Sequence, residues 1–469
     1  MSSLTKVLEA NVKNTERTKQ PGRYRLGHHL MPPVGWLNDP NGLCWFEGRY
    51  HVFFQYSPFE VKGGLKFWGH YSSEDLISWK YEGTALYPDA PCDCHGVYSG
   101  SAFVENGKMH LFYTGNVKLD GEYDYINKGR VTSTIHVESE DGVHFGIKEE
   151  VIPFEKYPEN YTCHIRDPKV WKEAGKYRMV LGGRLKEDKG SVLFYQSEDM
   201  KKWEFERSLT TENTFGYMWE CPDYFVLDEA KVLSVSPQGL KREEFRFQNI
   251  YQSGYFLMKE DGSVSEEDFC EWDMGFDFYA PQTFTDNKGR RILIGWMGMP
   301  DADEEYVNPT IGENWQHCLT VPRELSFYDG KIYQYPVEEI ELLRKSSIAF
   351  DEKAVPLETE KAFDLEVQTE SENLEIRIGR DVLLKCGDGQ AAIFLSEEAG
   401  AGRTVRRAKT DKVRNVRVLA DTSAVEIYLN DGETVFSTRY YPKKEQQQLE
   451  VKAERFTGRL WSLGEFVFE

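Results

Sequence analysis

One short phrase recurs along the N-terminal two thirds of this chain, and it limits the kind of body the chain can build. Gly48-Arg49-Tyr50-His51-Val52-Phe53-Phe54 is echoed by Gly107-Lys108-Met109-His110-Leu111-Phe112-Tyr113. It returns as Gly175-Lys176-Tyr177-Arg178-Met179-Val180-Leu181 and as Gly289-Arg290-Arg291-Ile292-Leu293-Ile294-Gly295, with a degenerate copy at Ala230-Lys231-Val232-Leu233-Ser234-Val235. Each reads as a turn followed by a short apolar strand. The starts at 48, 107, 175, 230 and 289 are spaced by 59, 68, 55 and 59 residues. A second phrase follows three of these strands: Ser73-Glu74-Asp75-Leu76 to Trp79, Ser139-Glu140-Asp141-Gly142 to Phe145, and Ser197-Glu198-Asp199-Met200 to Trp203. Repeats of this size, built of short strands and turns, suit the blades of a β-propeller. Helical periodicity is nearly absent here, so the expectation is all-β with five blades.

The pattern stops near Pro322-Arg323-Glu324-Leu325. Val337 to Lys345 reads as a short amphipathic helix or linker. Beyond Ala349 the text alternates apolar and polar, as in Leu374-Glu375-Ile376-Arg377-Ile378 and Ala424-Val425-Glu426-Ile427-Tyr428-Leu429. Half-buried antiparallel strands alternate in this way, and a β-sandwich is expected. The resulting division is a propeller over 1–335, with 1–30 as an N-terminal extension holding a short helix. A linker over 336–348 and a sandwich over 349–469 complete it.

Composition narrows the partners. The chain has 469 residues and a formal charge of −21, which argues against nucleic acid or an anionic membrane as a general partner. No apolar run is long enough to cross a membrane, and residues 1–20 lack a secretory signal pattern. The eight cysteines then read as free thiols in a reducing cytoplasm. Cys92-Asp93-Cys94-His95 has no second Cys/His pair at zinc spacing, so no metal is expected. Aromatics at 14% serve a β-rich core and also suit a sugar, whose apolar faces stack on rings.

Three acids stand out against this background. Trp36-Leu37-Asn38-Asp39-Pro40-Asn41-Gly42 sets a carboxylate among an aromatic ring, two amides, a proline and a glycine. Arg166-Asp167-Pro168 and Glu220-Cys221-Pro222-Asp223 are the others. Asp39 precedes the first repeat strand, Asp167 the third and Glu220 the fourth. Equivalent placement relative to the repeat predicts convergence at one mouth of the propeller. Mutual repulsion in such a trio raises at least one pKa. Glu220, between Trp219 and Cys221, is expected to stay protonated, Asp39 to be kept anionic by its amide neighbours, and Asp167 to be lowered by Arg166. An acid paired with a nucleophilic carboxylate is the equipment of glycoside hydrolysis.

The three motifs, in order and spacing, resemble those of glycoside hydrolase family 32, the invertases, fructanases and sucrose-6-phosphate hydrolases. The likeness runs from about Gly35 to Leu325, and the tail is compatible with that family's sandwich. The resemblance implies a retaining β-fructofuranosidase without a cofactor, in which Asp39 is the nucleophile, Glu220 the acid/base and Asp167 the transition-state stabiliser. It further implies a fructose subsite lined by Trp36, Leu37, Asn38, Gln55, Trp68, Tyr98, Ser99, Arg166, Tyr279 and Trp296. Many invertases carry a Trp shortly after the strand holding Gln55, whereas Phe59-Glu60-Val61-Lys62-Gly63-Gly64 has none. Ser236-Pro237-Gln238-Gly239-Leu240 resembles the intracellular sucrose-6-phosphate hydrolase subgroup. Lys62, Lys66, Lys241 and Arg242 are basic groups available to a phosphate. The expected substrate is a small sugar, sucrose or sucrose 6-phosphate, acted on by a monomer or homodimer. A fructan (inulin or levan) hydrolase or fructosyltransferase is the alternative, with a non-catalytic sugar-binding propeller behind it.

Overall fold

The computed structural model describes residues 6–8, 10, 13, 22–298, 308–353, 356–443 and 447–469. The helix expected within 1–30 falls largely outside these residues; 6–8, 10 and 13 are helical.

The recurring Gly phrase is a hairpin turn. Glu47 and Gly48, Asn106 and Gly107, and Ala174 and Gly175 are consecutive residues with φ between +46° and +81°. Two left-handed residues in a row match the right-handed twist of the strands they join. The Ser-Glu-Asp phrase is a second turn, closed by its own side chains. Asp75 Oδ1 accepts the N–H groups of Ile77 and Ser78 at 2.9 and 2.6 Å. Asp141 accepts those of Val143 and His144, and Asp199 those of Lys201 and Lys202. Such a side chain replaces backbone partners in a tight turn. The following ring then locks back: Trp79 Nε1 donates to the Leu76 carbonyl, and Trp203 Nε1 to that of Met200, both at 3.0 Å.

These units assemble into five successive sheets, within each of which consecutive strands pair antiparallel. Their inner strands are β1 (Gly35–Phe46), β2 (Val97–Glu105), β3 (Tyr161–Glu173), β4 (Met218–Leu227) and β5 (Tyr279–Thr285). Each inner strand neighbours the next, and β5 neighbours β1, so the sheets close a ring. All five inner strands slip register against their partner at the same place: Leu37/Pro40, Val97/Gly100, Arg166/Lys169, Glu220/Asp223 and Tyr279/Gln282. In four of them the slip contains an X-Pro step, at Asp39-Pro40, Asp167-Pro168, Cys221-Pro222 and Ala280-Pro281. Proline has no N–H for the ladder, and a bulge is where a strand tolerates it.

A second body follows. Two six-stranded sheets face each other across one core that includes Leu365, Val367, Val418 and Ile427 from one sheet and Ile376, Leu384, Ile393 and Val451 from the other. Burying each such side chain is worth about 1.5–3 kcal/mol. The expectation of an all-β propeller and sandwich is met, with a difference at the join. Residues Glu338–Leu343 form a 3-10 turn, and the strand Arg344–Asp351 already belongs to the sandwich. A boundary at 349 therefore cuts a strand. No helix among the described residues is long and apolar enough to cross a membrane.

Charge buried without solvent joins the two bodies. His29 bonds Asp421 Oδ2 through Nδ1 at 2.9 Å and Glu426 Oε1 through Nε2 at 3.0 Å. Arg323 donates to Glu426 at 3.0 and 2.5 Å and to Asp273 at 3.2 Å, with all three side chains fully buried. Burial opposes the charge on His29, but its bonds to Asp421 and Glu426 prevail and raise its pKa to about 9. A group whose pKa rises from 6.5 to about 9 on folding stabilises the fold fully below 6.5 and stops doing so as pH climbs through 9. Unfolding free energy in urea is thus expected to fall between pH 6.5 and 9. His29→Gln should cost about 3–5 kcal/mol, the loss typical of breaking a buried pair, and should flatten that slope. An equal slope in both proteins would refute the role given to His29.

Candidate active site

The bulges turn three carboxyl groups toward the middle of the ring, and each is held differently. Asp39 lies on β1 beside Asn38. Trp36 Nε1 and Lys66 Nζ can only donate, and both reach Asn38 Oδ1, at 2.9 and 3.0 Å. The amide is thereby fixed in one orientation, and its Nδ2 donates to Asp39 Oδ1 at 3.1 Å and to Gln55 Oε1 at 2.6 Å. Ser99 Oγ, at the bulge of β2, donates to Asp39 Oδ2 at 2.5 Å. Burial raises the Asp39 pKa, with the Ser99 and Asn38 bonds working against the rise.

Asp167 occupies the bulge of β3 with φ +63°. Its N–H donates to Thr114 Oγ1 at 2.9 Å, and its Oδ2 accepts the Cys221 N–H at 2.9 Å. Burial pushes its pKa up to about 7 against the nearby Arg166 charge, and Glu220 adds to the rise. The Cys221 thiol stands between two acids, 3.7 Å from Asp39 Oδ2 and 3.6 Å from Asp167 Oδ2.

Glu220 accepts four hydrogen bonds. Arg166 gives two to Oε1, from Nε at 3.1 Å and Nη2 at 2.6 Å. Gln238 Nε2 and Tyr279 Oη donate to Oε2 at 2.5 and 2.6 Å. The expected division of charge is thus corrected. The Arg166 guanidinium crosses to Glu220, 2.6 Å away, and stays 3.9 Å from its sequence neighbour Asp167. Asp167 is the acid that burial brings toward neutrality, and Asp39 is raised as well. Adjacency in a strand puts two side chains on opposite faces, so the short path from Arg166 runs to the next sheet.

The other expected residues separate into two groups. Trp36, Asn38, Gln55, Ser99, Arg166 and Tyr279 are joined to the trio by the bonds above. Trp296 stands with Trp36 and Tyr279, at ring distances of 6.1 and 6.4 Å. Tyr98 is half-buried at the same bulge as Ser99. Leu37 and Trp68 point elsewhere. Leu37 is fully buried in the core beneath β1. Trp68 is fully buried 6.0 Å from Tyr113, and its N–H holds the Tyr98 carbonyl at 3.1 Å. Both support the site from behind.

Three further residues join the site. Lys66 sits 5.2 Å over the Trp36 ring, and burial lowers its pKa to about 8 against the pull of Asp39. Gln238, inside the Ser236–Leu240 motif, reaches Glu220 because its strand pairs with β4. His317 packs edge-on against Trp36 at 4.2 Å, and no sequence signal marked it. Asp93 of the Cys-Asp-Cys-His run is held by Tyr113 Oη at 2.7 Å and Lys148 Nζ at 2.6 Å. The basic candidates Lys62, Lys241 and Arg242 are exposed.

One measurement tests the electrostatics. The infrared C=O stretch of protonated carboxyls should lose intensity with a midpoint near pH 7, where burial also places Glu271, and Asp167→Asn should remove the Asp167 share of that step. A step of undiminished size in the variant would take Asp167 out of it.

Known proteins share this sequence pattern and fold. The sequence pattern of the glycosyl hydrolases family 32 N-terminal domain matches residues 29–336, and that of the family 32 C-terminal domain matches 343–463. A sucrose-6-phosphate hydrolase of Bacillus subtilis is 40% identical over 451 residues, covering 92% of each chain. A raffinose invertase of Escherichia coli is 37% identical, covering 93% of this chain and 94% of its own. Among solved structures, a sucrose-6-phosphate hydrolase from Lactobacillus gasseri superposes with a TM-score of 0.88 at 29% identity, covering 98% of this chain and 97% of that one. A β-fructofuranosidase from Bombyx mori gives 0.86 at 30% identity, with 99% of each chain covered. This chain belongs to glycosyl hydrolase family 32.

Proposed function

We propose that this chain is a retaining β-fructofuranosidase that cleaves the terminal fructosyl unit of sucrose or sucrose 6-phosphate. Three carboxyl groups delivered by three inner strands of one ring, each with separate hydrogen-bond partners, carry the reading. The relatives support it: six sucrose-6-phosphate hydrolases are 34–40% identical to this chain, and a mutant of the Bombyx mori enzyme has been solved in complex with sucrose. The catalytic body is a five-bladed propeller whose last strand is Lys331–Pro336, joined through the turn Glu338–Leu343 to the sandwich. A cytoplasmic setting follows from the substrate class, and the protein works as a monomer or homodimer.

The geometry supports the following roles. Asp39, aligned by Asn38 and Ser99, attacks the anomeric C2 of the fructofuranosyl ring and forms an ester. Glu220 delivers a proton to the departing oxygen and afterwards takes one from the attacking water. Tyr279 suits a group that must alternate, because a phenol donates to the carboxylate and accepts from the acid. Gln238 and Arg166 hold the same carboxyl in place. Asp167 accepts hydrogen bonds from ring hydroxyls, which strengthen as positive charge grows on the ring. Trp36 and Trp296 give the sugar an apolar wall.

Asp39→Asn should abolish turnover of sucrose while leaving the melting temperature close to that of the parent, since ester formation needs an anionic oxygen. Near-normal hydrolysis would remove Asp39 from the mechanism. Glu220→Gln should lower kcat on sucrose by about 10²–10⁴-fold. Its loss on p-nitrophenyl β-D-fructofuranoside should be far smaller, because that leaving group departs without a proton. Equal losses on both substrates would deny Glu220 the acid role.

A further inference from the structure

Beside Glu220 lies a set of nitrogen donors that the proposed mechanism leaves unused. Arg166 directs Nε and Nη2 at Glu220 but sends Nη1 the other way, to His164 Nδ1 at 2.6 Å. A guanidinium has no lone pair to offer, so His164 Nδ1 is the acceptor and the ring proton sits on Nε2. Burial and the charges of Arg166, Arg130 and Arg184 push the His164 pKa down to about 3, so the ring keeps that neutral tautomer. Its Nε2 is buried and meets no hydrogen-bond partner among the described residues; the Tyr125 carbonyl beside it lies outside bonding geometry.

Arg130 is in the same condition. It opens the strand Arg130–Ser139, which is held against this corner by a hydrogen bond from Thr132 Oγ1 to the Cys163 carbonyl at 3.2 Å. Among the described residues, the Arg130 Nε is buried without an acceptor. The groups among the described residues whose charges act on it are Tyr98, Arg166 and Cys163, and none is a carboxylate. Arg184, in contrast, is neutralised by Asp188 at 2.7 Å. Buried donors left without acceptors are costly, and an unbalanced guanidinium adds to that cost. A sugar hydroxyl would satisfy one donor but no charge. An anion with several oxygens satisfies both.

We infer that Arg130 and the Nε2–H of His164, next to Arg166, form a subsite for a phosphate carried by the leaving sugar. The inference rests on the proposed function, because Glu220 protonates the leaving oxygen and so marks the side on which the leaving sugar lies. The basic groups suggested by sequence fit this task less well. Lys66 is engaged by Asn38 and the Trp36 ring beside the nucleophile, and Lys62, Lys241 and Arg242 are exposed.

The test compares kcat/KM for sucrose 6-phosphate and for sucrose in the parent enzyme, Arg130→Gln and Arg130→Lys. The ratio of the two values should fall about 10- to 100-fold in Arg130→Gln, the range expected for a charged hydrogen bond, and should recover in part with lysine. A ratio unchanged in Arg130→Gln overturns the subsite. A second measurement needs no variant: glucose 6-phosphate should inhibit sucrose hydrolysis by the parent enzyme at least 10-fold more strongly than glucose, and equal inhibition also overturns it. Failure of the parent enzyme to cleave either disaccharide would instead strike the proposed function itself.

Discussion

Everything at the site follows from a break in hydrogen-bond register repeated in all five inner strands. A regular strand would send alternate side chains to two faces and aim none of them along the ring axis. The extra residue of a bulge lets the strand bend and redirects what it carries. Prolines at Pro40, Pro168, Pro222 and Pro281 make the break obligatory, since each removes the N–H that a continuous ladder would need. Asp167, Cys221 and Ala280 accept left-handed φ values of +63°, +46° and +48° there, a conformation costly for residues other than glycine. The ring of neighbouring strands over-determines these conformations, which is how strain persists at a site.

Convergence creates an electrostatic problem that each acid meets separately. Asp39 has a serine hydroxyl and an amide locked in one orientation. Glu220 has a forked guanidinium, a phenol and a second amide. Asp167 has a backbone N–H from the bulge of the next strand, and burial lifts its pKa to about 7. Three equivalent acids in one mouth would compete for protons as a group. Unequal partners separate them into unequal tasks, and the donors that finish one task, such as Arg166, reach across from the strand assigned to another.

Much of this was legible in the sequence, for physical reasons. The hairpin turns need two left-handed residues in succession, so their Gly-containing text repeats. The outer turns need an aspartate that caps backbone N–H groups, so Asp75, Asp141 and Asp199 repeat too. The acids announce themselves through the proline that follows closely. What stayed hidden depends on which strand lies next to which. Leu37 sits between Trp36 and Asn38, and the period of two sends it to the core while its neighbours face the site. Trp68 pairs directly with Gln55, yet it lies one strand farther from the axis and is covered by Tyr113 of the next sheet. The destination of Arg166 and the arrival of Gln238 cross between elements, and no local pattern encodes such a crossing.

The sandwich has a mechanical part in the same argument. A ring of sheets is weakest where its last sheet meets its first, because no chain connection crosses that seam. Here the seam is held four times. Gly35 and Trp36 pair in parallel with Trp315 and Gln316, which come from the far end of the ring. Residues 27–29, at the entrance to β1, are held by Asp421 and Glu426 of the sandwich. Asp273 and Asp277, just before β5, take hydrogen bonds from Ser437 and Arg439 of the same sandwich sheet. Arg323, in the fifth sheet, binds Glu426 and Asp273 at once. The strands that carry Asp39 and Tyr279 are therefore clamped by one external body on either side of the seam. Loosening that clamp would move the nucleophile relative to the group that holds Glu220, which links a buried ion network in the second domain to the geometry of the chemistry in the first.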